Sequence, residues 1–182
     1  QAERKQEQIK QQEQLSPAQQ FAKTVDLRVA KIIAIEKHPK ADKLYIETLD
    51  DGSGVPRTIV SGLVPHYKEE ELLGKHIILV NNLAPAKLRG VESKGMLLAA
   101  SVKNEQGNEV VEVLEVPQCN PGTRVSVQGV EPVTEYNEIS IDTFFAIPII
   151  VENNVVMVHD KPLVDETGAC ITTSRVQKGT VG

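Results

Sequence analysis

Few residues in this chain could do covalent chemistry, and their spacing suits none of it. Ser61 stands in VSGL, without the glycine two positions earlier that a nucleophile elbow needs. The histidines fall at 38, 66, 76 and 159, with neither HxxxH nor any other ligand spacing. Cys119 and Cys170 make no CxxC pair, which argues against structural zinc and fits packed thiols in a reducing, cytosolic setting. There is no GxGxxG and no P-loop, and the acidic residues lie in turns or alternate along strands. No catalytic residues, no metal and no cofactor are expected, so the chain reads as a binding module rather than an enzyme. The stretch with chemistry to offer is NNLAPAKLRGVESKGMLLAAS, residues 81–101. Lys87, Arg89 and Lys94 stand there against one acid, Glu92, in a loop between two apolar runs. Such cations pair with phosphates, and Asn81, Asn82 and Ser93 can hydrogen-bond backbone oxygens or sugar hydroxyls. Gly90 and Gly95 would let a ligand backbone approach closely. A mixed-charge solvated loop fits the same residue types, and physics alone leaves both readings open.

The elements that must carry this loop are mostly strands. From Thr24 the sequence alternates, with Val25, Leu27 and Val29 against Asp26, Arg28 and Ala30, and then turns apolar on both faces through Ile32, Ile33 and Ile35. A long strand that changes face predicts a bulged barrel strand. HPKAD, residues 38–42, is turn chemistry, followed by strands in KLYIETLDDG and in residues 57–64. One helix is expected between Pro65 and Gly74, with acids in its first turn and glycine past its end. HIILVNNL, residues 76–83, reads as a strand buried on both sides, and residues 95–102 as a fifth strand. Five strands with one helix between the third and fourth is the element order of an OB-fold barrel, which binds oligonucleotides on its strand 2–3 face and loops.

Further strands are expected in residues 109–128, then at 139–150, 155–159 and 169–174, with turns at Asn153-Asn154 and Lys161-Pro162 and a frayed tail at 177–182. The reading is therefore mainly β: a polar linker or marginal helix over 1–23, the barrel over 24–130, and a β-rich appendage over 131–182 packed on it. Aromatics make up only 3% of the 182 residues, so Val, Ile and Leu must fill the core. The longest apolar run, residues 144–151, is far too short to cross a membrane. No signal peptide is visible, and a start at Gln1 fits a fragment of a longer, cytoplasmic chain. The net charge of −5 is unevenly spread: residues 24–103 carry 12 bases and 10 acids, residues 104–182 only 4 bases and 12 acids.

Three blocks in order carry a resemblance: DLRVAKI with HPKADKLYIETLDDG, then PRTIVSGLV, then residues 81–101. Together they resemble the tRNA-binding domain family of endothelial monocyte-activating polypeptide II, over about residues 24–130. That domain recurs at the C-terminus of some tyrosyl-, methionyl- and lysyl-tRNA synthetases and in free-standing synthetase cofactors. The resemblance implies binding of tRNA backbone and shape with little sequence preference, with a synthetase catalytic domain as partner in cis or in trans. It implies tRNA contacts at Lys87, Arg89, Ser93, Lys94 and Met96, at Arg28 and Lys31 on the first strand, and at Asn81 and Asn82. Met96 fits the core equally well. His38 and Asp42 match a recurring turn and are expected to be structural. Residues 131–182 resemble the extra C-terminal region of longer members, which packs on the barrel, so a monomer is expected. Two departures stand out. Ala30 replaces a frequent glycine, and TEYNEISID, residues 134–142, has three acids where a lysine cluster is common. Binding would then lean on residues 28–103. The acidic end also suits the alternative, a protein-interaction scaffold in a multi-synthetase complex or a cytokine-like secreted fragment.

Overall fold

In the computed structural model of the chain, which describes residues 2–6 and 15–182, one long strand organises the fold. Strand β1 (Leu27–Lys37) pairs through its first half with β4 (His76–Val80) and through its second half with β2 (Tyr45–Asp50), both antiparallel. The register slips between Ile32 and Ala34, so the strand does carry the bulge its change of face predicts. Strand β3 (Arg57–Ser61) extends β2. The sheet then curls. Val80 N–H donates to Met96 O and Leu98 N–H to Ile78 O, which brings β4 against the chain leading into β7 (Ala99–Lys103). Ala30, Ile32, Tyr45, Leu49, Ile77 and Leu79 fill the interior. A short helix, α2 (Glu69–Leu72), plugs it with Leu72, and Gly74 follows at φ 87°, where a side chain would be strained. The result is mainly β and barrel-like, with the expected order of strands and helix.

The apolar run at 76–80 is explained by two cores. Ile77 and Leu79 face the barrel interior, whereas Ile78 and Val80 face a second and larger core outside it. That outer core also takes Leu27 and Val29 of β1. It is closed from one side by α1 (Pro17–Thr24), which buries Ala18, Phe21 and Ala22. Ser16 caps this helix, its Oγ accepting Gln19 N–H at 3.2 Å while the Gln19 side chain accepts Ser16 N–H at 3.0 Å. Of the two expectations for this stretch, linker or marginal helix, residues 17–24 take the helical one; residues 7–14 lie outside the described residues.

Residues 131–182 close the outer core from the other side. Strand β9 (Arg124–Val127) pairs with β1 and with β12 (Lys161–Val164); β12, β11 (Val155–Val158), β10 (Ile149–Glu152) and β13 (Gly179–Val181) follow side by side, and β13 pairs back onto β7. The appendage is continuous with the barrel sheet. Several expected details change. Residues 141–145 are a helix, α3 (Ile141–Phe145), because Ser140 Oγ accepts Thr143 N–H at 3.1 Å and caps it; the strand begins only after Pro148. Lys161 and Pro162 lie inside β12, and residues 169–174 make only isolated bridges. The tail is a paired strand rather than a frayed end. It is held by Glu112 on β8 (Glu109–Val113), whose carboxylate accepts the N–H groups of Ser174, Arg175 and Val176 at 2.7, 2.7 and 3.0 Å. Burial alone would raise the Glu112 pKa, but these donors outweigh it and hold it below the ordinary value. Cys119 is packed as expected, whereas Cys170 is exposed. Among the described residues no helix is long and apolar enough to cross a membrane.

Candidate nucleic-acid interface

The basic loop is not irregular. It folds into a hairpin of β5 (Ala86–Leu88) and β6 (Val91–Ser93), with Lys87 opposite Glu92. Arg89 and Gly90 make its two-residue turn at φ 51° and 87°, the left-handed pair that a tight antiparallel turn demands. Glycine takes this freely; Arg89 does so at a cost of roughly 1 kcal/mol. Lys87, Arg89 and Lys94 are exposed. Lys94 Nζ lies 3.8 Å from Glu92 Oε1, a surface pair worth about 0–1 kcal/mol that salt or a ligand displaces readily.

The base of the hairpin is locked. Ser93 is buried; its Oγ accepts Val60 N–H at 2.9 Å and donates to Gly95 O at 3.0 Å, and Lys94 N–H donates to Thr58 O. The Ser93 hydroxyl is therefore spent on fastening the hairpin to β3. Gly95 is spent on packing: at φ 142°, a Cβ there would stand 2.8 Å from Leu79 Cδ1 and 3.2 Å from Val80 O. Gly90 has open space around it.

Asn81, Asn82 and Lys94 line one cleft of about 280 Å³, together with Leu83, Pro85, Glu138 of the appendage, and Arg57. Arg57 carries no signal in the sequence, being a lone arginine at a strand start. Its Nη1 donates to Asn81 O and Lys94 O at 3.1 and 3.2 Å, and its Nε lies 3.1 Å from Asp51. Asn82 joins the parts of the molecule: Nδ2 donates to Thr24 O and Asn137 O, both at 2.8 Å, and Oδ1 accepts Asp26 N–H at 3.0 Å. Asn81 Nδ2 donates to Asp26 Oδ2 at 2.9 Å. Both asparagines thus shape the cleft wall from within.

The remaining expected residues are dispersed. Arg28 is half-buried and turned inward, its Nε 2.9 Å from Asp26 Oδ1 and its Nη1 donating to Gly122 O. Lys31 is exposed on β1, in register with Asp50 and His76, away from the cleft wall. Met96 is half-buried against the outer core and borders a groove with Ser61 and His66. His38 is buried; Nδ1 accepts Lys40 N–H at 3.0 Å, so the ring proton sits on Nε2, which donates to Leu88 O at 3.1 Å. Asp42 is exposed in the same turn.

One pair looks catalytic at first sight. Ser61 Oγ–H donates to Glu47 Oε1, and Glu47 is fully buried beside Tyr45 and Leu49 in the barrel wall. Burial pushes the Glu47 pKa from 4.5 to about 8, against the Ser61 hydrogen bond. At neutral pH it is a protonated acid and cannot accept the proton of Ser61. Glu47 Oε2 has no partner among the described residues. The pair is a polar defect of the core, not a nucleophile and base.

Residues 27–124 match the family described as "Putative tRNA binding domain". The methionine–tRNA ligase of Treponema denticola is 48% identical over 179 residues, covering 92% of this chain and 22% of that protein. The cytoplasmic tyrosine–tRNA ligase of Xenopus laevis is 47% identical over 108 residues, covering 59% of this chain and 20% of that protein. The chain thus spans about a fifth of the length of these curated relatives. Among solved structures, the C-terminal domain of Plasmodium vivax p43 matches with a TM-score of 0.76 at 29% identity, over 87% of this chain and 96% of that one.

Proposed function

This chain belongs to the tRNA-binding domain family, and from that premise we propose that it is a non-catalytic module holding tRNA for a synthetase active site carried elsewhere. The observation that supports this most is the hairpin. Lys87 and Arg89 stand free in solvent, and Lys94 is held only by its weak surface pair with Glu92, on a scaffold fixed at Ser93, so phosphates can be met without first ordering a loop. Phosphate contacts carry no base information, which suits a module that accepts many tRNAs. The relatives' names favour a part of a methionyl- or tyrosyl-type ligase, and we propose that the module is monomeric and cytoplasmic. There a tether supplying millimolar effective concentration makes even micromolar affinity useful. Arg28, Asn81, Asn82 and Ser93 enter this reading as framework, and Lys31 as an outlying cation.

The test is fluorescence anisotropy of labelled bulk tRNA from 50 to 300 mM salt. Three or four neutralised phosphates, from Lys87, Arg89, Lys94 and the outlying Lys31, imply a log–log slope of about −2 to −4. Lys87→Ala with Arg89→Ala is expected to weaken different tRNAs alike. A slope near zero would remove the reading and favour the protein-interaction scaffold that the acidic C-terminal half suggests.

A further inference from the structure

The turn between β1 and β2 and the tip of the β5–β6 hairpin are far apart in sequence, yet one imidazole joins them. His38 Nδ1 accepts the N–H of Lys40, inside the turn, and its Nε2–H donates to the carbonyl of Leu88, the residue between Lys87 and Arg89. The backbone around His38 is itself held, its N–H donating to Leu44 O at 2.9 Å. Only a neutral imidazole accepts on one ring edge and donates on the other, so residue type and geometry agree. Lys40, Lys43, Lys87 and Arg89 are all exposed, and none forms an ion pair among the described residues; Asp42 and Glu92 are the acids nearest them in sequence.

Resting on the function proposed above, we infer that His38 is a positioning residue that clasps hairpin to turn, so that Lys40 and Lys43 join Lys87 and Arg89 in one phosphate-binding site for RNA backbone. The turn supplies cations that the hairpin alone lacks. The clasp holds both sets at a fixed separation, which lets them meet successive phosphates without paying to order two loops. It also accounts for a buried histidine at a surface turn, where a solvated polar residue would serve a turn alone.

Two substitutions separate the ring's two bonds. His38→Asn keeps an acceptor where Nδ1 stands and loses the reach to Leu88. His38→Gln keeps a donor where Nε2 stands. Both are titrated with labelled bulk tRNA across salt in the full chain, beside the wild type and Lys40→Ala with Lys43→Ala. His38→Asn is expected to bind roughly 10-fold more weakly at 0.1 M salt, with a slope shallower by about 1, and His38→Gln to recover most of both. The lysine pair is expected to flatten the slope by about 1.5 while leaving the fold intact. Wild-type affinity in His38→Asn, or equal loss in His38→Gln, overturns the clasp. An unchanged slope in the lysine pair overturns the shared site, even where a His38 variant fails to fold. A flat wild-type slope instead overturns the tRNA reading itself, so the two failures are distinct.

Discussion

Replacing Glu47 by glutamine should remove a pH dependence from the stability of the barrel. The carboxyl is fully buried, Ser61 Oγ–H is its one partner among the described residues, and burial raises its pKa from 4.5 to about 8. Between those values the folded state holds a proton that the unfolded state has released. Stability is therefore complete below pH 4.5 and is lost as pH rises through 8, at about 1.4 kcal/mol per pH unit. The loss reaches about 3 kcal/mol at pH 7 and about 5 kcal/mol above pH 8. Glutamine has the same shape, keeps an oxygen for Ser61 and never ionises. Its unpaired amide costs about 1–3 kcal/mol at every pH, so the variant should equal or slightly trail the wild type at pH 5 and lead it by a few kcal/mol at pH 8.5. Urea unfolding followed by far-UV circular dichroism gives both curves, and their difference cancels every other titrating group. A difference that does not change from pH 5 to pH 8.5 would refute the argument.

Asn82→Ala removes three hydrogen bonds linking Thr24, Asp26 and Asn137, and should cost about 2–4 kcal/mol in urea unfolding while leaving the salt slope of tRNA binding unchanged. Glu112→Gln should release the tail, raising hydrogen exchange in residues 174–181 by a factor of 10 or more and costing about 2 kcal/mol. Because the folded Glu112 pKa is lowered, the wild-type latch should hold above the ordinary carboxylate range and weaken as pH falls below it, whereas the variant should not respond. Phe144→Ala empties a fully buried site in the outer core and should cost about 3–5 kcal/mol by thermal or urea unfolding. A chain ending at residue 130 leaves β7 and β9 without β13 and β12, and should associate or unfold, as sedimentation and melting would register.

The barrel was legible because its signals are periodic and local. The change of face at Ile32 to Ile35 announced the bulge, and the unbroken 76–80 run announced a strand between two cores. The appendage was harder. The apolar run at 144–151 outweighed Ser140 and Asp142, although a capping serine followed by an acid is a helix start. The tail has no strand signal of its own; its pairing comes from a seat already made by β7 and β10. The cations of the hairpin were readable as charge, and the asparagines and Ser93 as polar groups near it. That those polar groups serve the framework depends on partners such as Asp26, Val60 and Asn137, which no local window reveals. The contact between His38 and Leu88 is hidden for the same reason.

The seat of β13 between β7 and β10 also sets an order of events during synthesis. The three hairpin-linked strands at the start of the barrel have local partners and can pair as they emerge. Leu27, Val29, Ile78 and Val80, however, wait for partners at the far end of the chain. At ribosomal rates residues 131–182 take about 3 to 10 s to appear. For that interval the nascent barrel shows a greasy outer flank and an unpaired β7 edge, both of which invite chaperones or neighbouring chains. Completion then arrives late and all at once, through pairings of long sequence separation that close slowly. The barrel thus matures only once residues 131–182 have been made.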